Sequence, residues 1–198
     1  MPARVAMPVS PLPAVDSMTI AEFLAFTDTR PDEERWELIE GVPTLSPSPV
    51  DCHQIICSNI LFILETAKRQ QAASWLATLA VGTRVPASPD SLPRPDVYVM
   101  AKGPTGAPVT DDALVLFEVL SRSNSKADQA WRRKVYASVP NCQHYVTVSL
   151  KKPEAIAYDR ASGWQPRRAQ GIAETLALAA IGVKLPLADV YRYTPLAR

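Results

Sequence analysis

The run Ala113-Leu114-Val115-Leu116-Phe117-Glu118-Val119-Leu120 is apolar at every position but one. So continuous an apolar run predicts a strand buried on both faces, inside a sheet covered by helices. Arg94-Pro95-Asp96-Val97-Tyr98-Val99-Met100 predicts a second strand with a carboxylate at its start. A turn-rich loop from Lys102 to Asp112 joins the two, and Ser121 to Ser125 leads into a basic helix from about Lys126 to Val139. A carboxylate inside such a strand is costly unless it is paired or holds a metal. Glu118 therefore needs a partner, and Asp96 on the neighbouring strand is the obvious one.

The same pattern organises the remainder of the chain. Residues 1–17 hold four prolines and no periodicity, which predicts a flexible arm outside the core. Ser17 or Thr19 can cap a short helix from Ile20 to Phe26, and Glu22 stands at capping-box spacing from Thr19. Trp36 to Leu45 predicts a strand turning at Gly41 and breaking at Ser46-Pro47-Ser48-Pro49. Asp51 is the expected cap of a helix over about His53 to Gln70, where Ile56, Ile60, Ile63, Leu64 and Ala67 form an apolar stripe. Trp75 to Pro86 predicts a strand interrupted at Gly82. Gln143 to Leu150 predicts another, with Glu154 to Arg160 its hairpin partner across Lys151-Lys152-Pro153. Gly163-Trp164 breaks into a polar segment, and Thr175 to Tyr193 predicts short elements that pack on one face.

This order of elements predicts an α/β domain over residues 18–198, with a mixed central sheet and helices on both sides. The helix between Leu120 and Gln143 allows a crossover, expected to be right-handed. A chain of 198 residues suits one domain with a proper core.

Composition narrows the function. The formal net charge is +1, so attraction to nucleic acid must come from a local patch. Cys52, Cys57 and Cys142 are odd in number and lie in apolar segments, as reduced thiols of a cytoplasmic protein would. Cys52, His53 and Cys57 lie close together, but zinc spacings need a second ligand pair and none is visible. No apolar run reaches membrane-spanning length, and no apolar core of a signal peptide stands at the N-terminus.

Two carboxylates on adjacent buried strands can chelate an oxygen-loving divalent ion such as magnesium. An ion so held polarises a phosphoryl oxygen and activates bound water, and a nearby cation can steady the phosphate. The segment after Glu118 supplies cations at Arg122, Lys126, Arg132, Arg133 and Lys134.

Pro95-Asp96 followed by Glu118 on the next strand resembles the PD-(D/E)xK nuclease superfamily. More closely, the chain resembles the bacterial putative restriction endonucleases of the Uma type, formerly a domain of unknown function, from about Met18 to Tyr191. Carrying the likeness are Thr19 to Leu24, Trp36 to Gly41, Ser46 to Pro49 with His53 and Ile56, Arg94 to Val97, Phe117 to Ser121, Asp128 with Tyr136, and His144 to Val148. The resemblance implies a restriction-endonuclease-like fold with an added N-terminal helix and hairpin. It implies Asp96 and Glu118 as ligands of Mg2+ or Mn2+, DNA as substrate, and pairing into a homodimer that cuts two strands.

The superfamily's lysine two residues after the glutamate is Leu120 here. In the family it often moves to the next helix, four residues after an aspartate and four before a tyrosine. That position is Arg132, which shares a helix face with Asp128 and Tyr136. Lys134 lies about 200° around the helix from it at ~100° per residue. Arginine can hold a phosphate but cannot serve as a base. Arg132, with Lys134 second to it, is thus the expected phosphate-steadying cation. Glu37 and His53 are candidates for an outer position, as a further metal contact or an orienting group. Arg122, Lys126 and Arg133 are expected to meet nucleic acid.

Structural roles compete with these. Asp96 can merely start its strand, Glu118 can pair with Arg84 or Arg132, and Glu37 can sit on a solvated edge strand. His53 can be a cap partner or packing residue. The missing lysine also allows a catalytically silent nuclease fold that binds nucleic acid or a protein partner.

Overall fold

The computed structural model describes residues 17–31, 33–103, 106–121 and 124–197. The expected arm, apart from Ser17, and Arg122 lie outside them.

Thr19 caps the first helix, α1 (Ile20–Thr27), through the full reciprocal box with Glu22. A hairpin follows, β1 (Arg35–Ile39) with β2 (Val42–Ser46), paired so that Glu37 faces Thr44. Its two-residue turn, Glu40-Gly41, takes positive φ at both positions, as tight hairpins require. A Cβ on Gly41 would lie 1.9 Å from Ser17 Oγ, so the close approach of the incoming chain also demands glycine here. Helix α2 (Asp51–Gln71) buries Ile56, Ile60 and Leu64 completely along the expected stripe. Its cap is Val50, without a side-chain bond, and Asp51 is instead the first helical residue, accepting from the Cys52 N–H. A carboxylate in the first turn still favours the positive end of the helix dipole.

The remaining elements are β3 (Leu76–Leu79), β4 (Gly82–Thr83), β5 (Val97–Met100), β6 (Val109–Thr110), β7 (Val115–Leu120), α3 (Lys126–Ala137), β8 (His144–Ser149), β9 (Glu154–Asp159), β10 (Gln165–Gln170), β11 (Thr175–Leu178), β12 (Val183–Pro186) and α4 (Leu187–Val190). The main sheet runs in the order β10-β9-β8-β7-β5-β3. Only β7 and β8 are parallel in it, joined by α3 as a parallel pair requires; the other neighbours are antiparallel. The sheet is therefore mixed.

Alternation along the strands sorts its two faces. Val97, Val99, Val115, Phe117 and Val119 pack with α2 residues Ile56, Ile60 and Leu64 and with the β11–β12 hairpin. Tyr98, Met100, Leu116 and Tyr145 pack with Val135 and Tyr136 of α3. Glu118 has the parity of Leu116, so it points toward α3. A third small core joins Phe23, Trp36, Leu38 and Leu92, and a bridge from Leu38 to Leu92 ties the N-terminal hairpin to the segment before β5.

Two further expectations change. The strand expected from Arg94 begins at Val97, so Asp96 stands just before it. The polar segment after Trp164 is a full edge strand, β10, paired with β9 from Gln165↔Asp159 to Gln170↔Glu154. Among the described residues, no helix is long and apolar enough to cross a membrane.

Candidate metal and phosphate site

Four elements and the segment before β5 bring five side chains to one place. Val97 is paired with Phe117, so the register carried one residue further sets Asp96 opposite Glu118. The main chain secures this: Asp96 N–H donates to Phe117 O at 2.9 Å, and Val119 N–H donates back to Asp96 Oδ2 at 2.8 Å. The β1 hairpin delivers Glu37, whose Oε1 accepts from the Arg94 N–H at 2.7 Å. The first turn of α2 delivers His53, and the middle of α3 delivers Arg132. Glu37, His53, Asp96, Glu118 and Arg132 are all buried, yet all line one cleft of about 890 Å³.

Arg132 is the hub of the acidic cluster. Its Nη2 donates to Glu37 Oε2 at 2.8 Å, and its Nη1 to Glu37 Oε1 and Glu118 Oε1, each at 3.0 Å. Its Nε donates to Asp128 Oδ1 at 3.1 Å, one turn back on the same helix. Tyr136, one turn forward, donates from its hydroxyl to Glu118 Oε1 at 2.9 Å. The four-residue spacing of Asp128, Arg132 and Tyr136 thus does place all three on one helix face. Lys134 is exposed and not among the cleft residues, as the helix geometry requires.

One guanidinium faces two buried carboxylates here, so negative charge is in excess. Burial pushes the Glu118 carboxyl up to about 8; Arg132 pulls the other way, while Asp96 and Glu37 add to the rise. Burial works against the charge on Arg132 too, but Glu118 and Glu37 keep it firmly protonated. Asp96 behaves differently. Burial would raise it, but contacts with His53, the Val119 N–H and Arg35 hold it below the usual carboxylate range.

His53 orients Asp96. Its Nε2 lies 3.2 Å from Asp96 Oδ2, and its Nδ1 lies 3.7 Å from Cys57 Sγ, one helical turn on. Burial raises the Cys57 thiol far above its ordinary pKa, so it meets the ring as a neutral S–H.

Do these residues fit a divalent ion? Asp96 Oδ1 has only a 3.3 Å contact with Arg35, and Glu118 Oε2 has no hydrogen bond among the described residues. Two hard oxygen donors at the floor of a cleft suit magnesium or manganese. His53, Cys57 and Asp96 form a second possible ligand group, with ligand atoms within 4.8 Å of one another. A protonated thiol and an imidazole ring already bonded at both nitrogens make it the poorer fit.

The other expected nucleic-acid contacts lie elsewhere. Lys126 and Arg133 are exposed and outside the cleft lining, and the Arg133 guanidinium sits 5.1 Å from the centre of the Tyr158 ring. Glu118 pairs with Arg132 rather than Arg84. Arg35, Arg94 and Lys151 line the cleft and were not foreseen. A signal existed for Arg35, because it shares a strand face with Glu37.

No curated protein matches the chain. Among solved structures, a putative nuclease belonging to DUF820 from Anabaena variabilis superposes with a TM-score of 0.71 at 16% identity, covering 88% of this chain and 97% of that one. At that identity the likeness is one of fold. The model of Uma2, described as putative restriction endonuclease, matches residues 20–188. By that match over most of its length, the chain belongs to the Uma2 putative restriction endonuclease family.

Proposed function

We propose that this family member is a metal-dependent endonuclease that hydrolyses DNA phosphodiester bonds. The observation that carries the reading is the opposition of Asp96 and Glu118 on neighbouring segments at the floor of one cleft. Burial above all, with Asp96 and Glu37, raises the Glu118 carboxyl to about 8 against the pull of Arg132. A divalent cation would offset that cost.

On this reading Asp96 and Glu118 hold Mg2+ or Mn2+, which would polarise the phosphate and activate water for in-line attack. The Val119 N–H and His53 fix the Asp96 carboxylate. Arg132, always charged, stabilises negative charge on the phosphate rather than removing a proton. Glu37 holds the Arg132 guanidinium by two oxygens and so sets its plane. Lys134 has no part in the chemistry. Residues 18–198 act as one domain, and two copies pair to cut two strands. Three free cysteines suit the reducing cytoplasm.

Nicking of supercoiled plasmid tests this. Wild type with magnesium or manganese should cut, while Asp96→Ala and Glu118→Ala should lose at least about a hundredfold in rate. Equal rates in all three would defeat the proposal.

One observation favours a second reading. Arg132 gives its guanidinium hydrogens to Glu37, Glu118 and Asp128, and no lysine lines the cleft beside Glu118 except Lys151. A protein so arranged could bind nucleic acid or a protein partner without cutting. Wild type that binds duplex but never nicks, with either metal, would support it.

A further inference from the structure

Arg35 and Arg94 both line the cleft that holds Asp96, and among the described residues neither uses all of its donors. Arg94 lines it with its main chain pinned to Glu37. Its Nη2 donates to Ala80 O at 3.2 Å, but its Nε is buried with no partner, and it forms no ion pair among the described residues. Arg35 lines the same cleft, its side chain 28% exposed. Its one ion pair among the described residues is the long 3.3 Å contact from Nη2 to Asp96 Oδ1. Both arginines belong to the lining of this one cleft.

Like charges facing a concave space raise the energy of the empty site, and a buried donor without an acceptor adds to it. An anion between them would relieve both costs. Planar guanidinium groups match the oxygens of a phosphate better than any other common side chain. Arg132 adds its charge to the site, but most of its donors are already taken by Glu37, Glu118 and Asp128. The free donor capacity of the cleft therefore lies on the β1 and pre-β5 side.

We propose that Arg35 and Arg94 form an anion subsite that takes a phosphodiester of the bound strand next to Asp96. The subsite rests on the nuclease reading, since it presumes a nucleic acid in the cleft. It also assigns strand binding to the N-terminal hairpin and the segment before β5, rather than to the exposed cations of α3. Charge neutralised at Asp96 would loosen its pair with Arg35 and free that guanidinium for phosphate.

The test is duplex binding by fluorescence anisotropy on the full chain, in EDTA and over a range of salt, so that cutting plays no part. Arg35→Gln and Arg94→Gln should each weaken binding by about tenfold at low salt, and each should flatten the slope of log affinity against log salt by about 0.9. Arg69→Gln, on an exposed pair at the far end of α2, controls for net charge and should leave the slope unchanged. Circular dichroism checks folding; if Arg94→Gln unfolds, Arg35→Gln and Arg94→Lys carry the test, the latter retaining most of the slope. Slopes unchanged at Arg35 and Arg94, or lost only in Lys126→Gln and Arg133→Gln, would overturn the subsite. So would a wild type that binds no duplex. Plasmid nicking, run in parallel, reports separately: binding lost at Arg35 and Arg94 without nicking in wild type defeats the nuclease but keeps the subsite.

Discussion

Arg132 reaches Glu118 from α3, on the face of the sheet toward which Glu118 points, Nη1 to Oε1 at 3.0 Å, and the same nitrogen also serves Glu37. A buried arginine shared by two acids holds three elements together: β1, β7 and α3. Removing one member of a buried ion pair leaves uncompensated charge, which costs about 3–5 kcal/mol. Arg132→Ala should therefore lower unfolding stability by about that amount in urea. Arg132→Lys should cost less but still measurably, because one ammonium cannot match both oxygens of Glu37. A gain of nicking in Arg132→Lys over an inert wild type would favour the silent-nuclease reading.

Tyr136 offers a milder probe. Its hydroxyl donates to Glu118 Oε1, and Tyr136→Phe removes that donor while keeping the ring. The expected loss is about 1–3 kcal/mol, since a buried carboxylate forfeits a hydrogen bond. The Glu118 carboxyl should also move higher, because the Tyr136 bond lowers it. Carboxyl titration of both proteins by infrared spectroscopy would read the shift.

Stability should depend on pH in a particular direction. The Glu118 pKa is raised in the folded state to about 8 from its ordinary 4.5. Between those values the folded protein binds more protons than the unfolded one, so stability falls as pH rises through that window. Asp96 has the opposite sign, but its contribution is lost only below its ordinary range. Metal-free thermal melts from about pH 5 to pH 8 should show the decline, and Glu118→Gln should flatten it. An equal decline in Glu118→Gln would assign it to other groups.

The cysteines should separate by accessibility. Cys52 is partly exposed, whereas Cys57 and Cys142 are buried, and burial raises both of their thiol pKa values. Native-state alkylation read by mass spectrometry should modify Cys52 first and leave the other two until unfolding. Early loss of Cys57 would mean that the first turns of α2 open readily.

Much of this arrangement was legible in the sequence, for local reasons. The Ile56, Ile60 and Leu64 stripe requires a helix, and a single acid within Ala113–Leu120 marks an unusual strand. The spacing of Asp128, Arg132 and Tyr136 already shows which basic residue shares their face. Strand β10 was less legible because Gln165-Pro166-Arg167-Arg168-Ala169-Gln170 is an exposed edge with one buried side chain, Ala169. Its pairing comes from β9, not from its own pattern. The place of Arg94 in the cleft lining was hidden for a related reason. It depends on the Leu38–Leu92 bridge, a tertiary contact that no local periodicity encodes.

The central claim is that Asp96 and Glu118 together hold a divalent cation, and calorimetric titration with Mn2+ near pH 8 tests it most directly. Wild type should bind Mn2+ with proton release, and Asp96→Asn and Glu118→Gln should each weaken binding at least about tenfold. Absent binding in wild type would contradict the account, as would binding lost in Cys57→Ala but kept in Glu118→Gln.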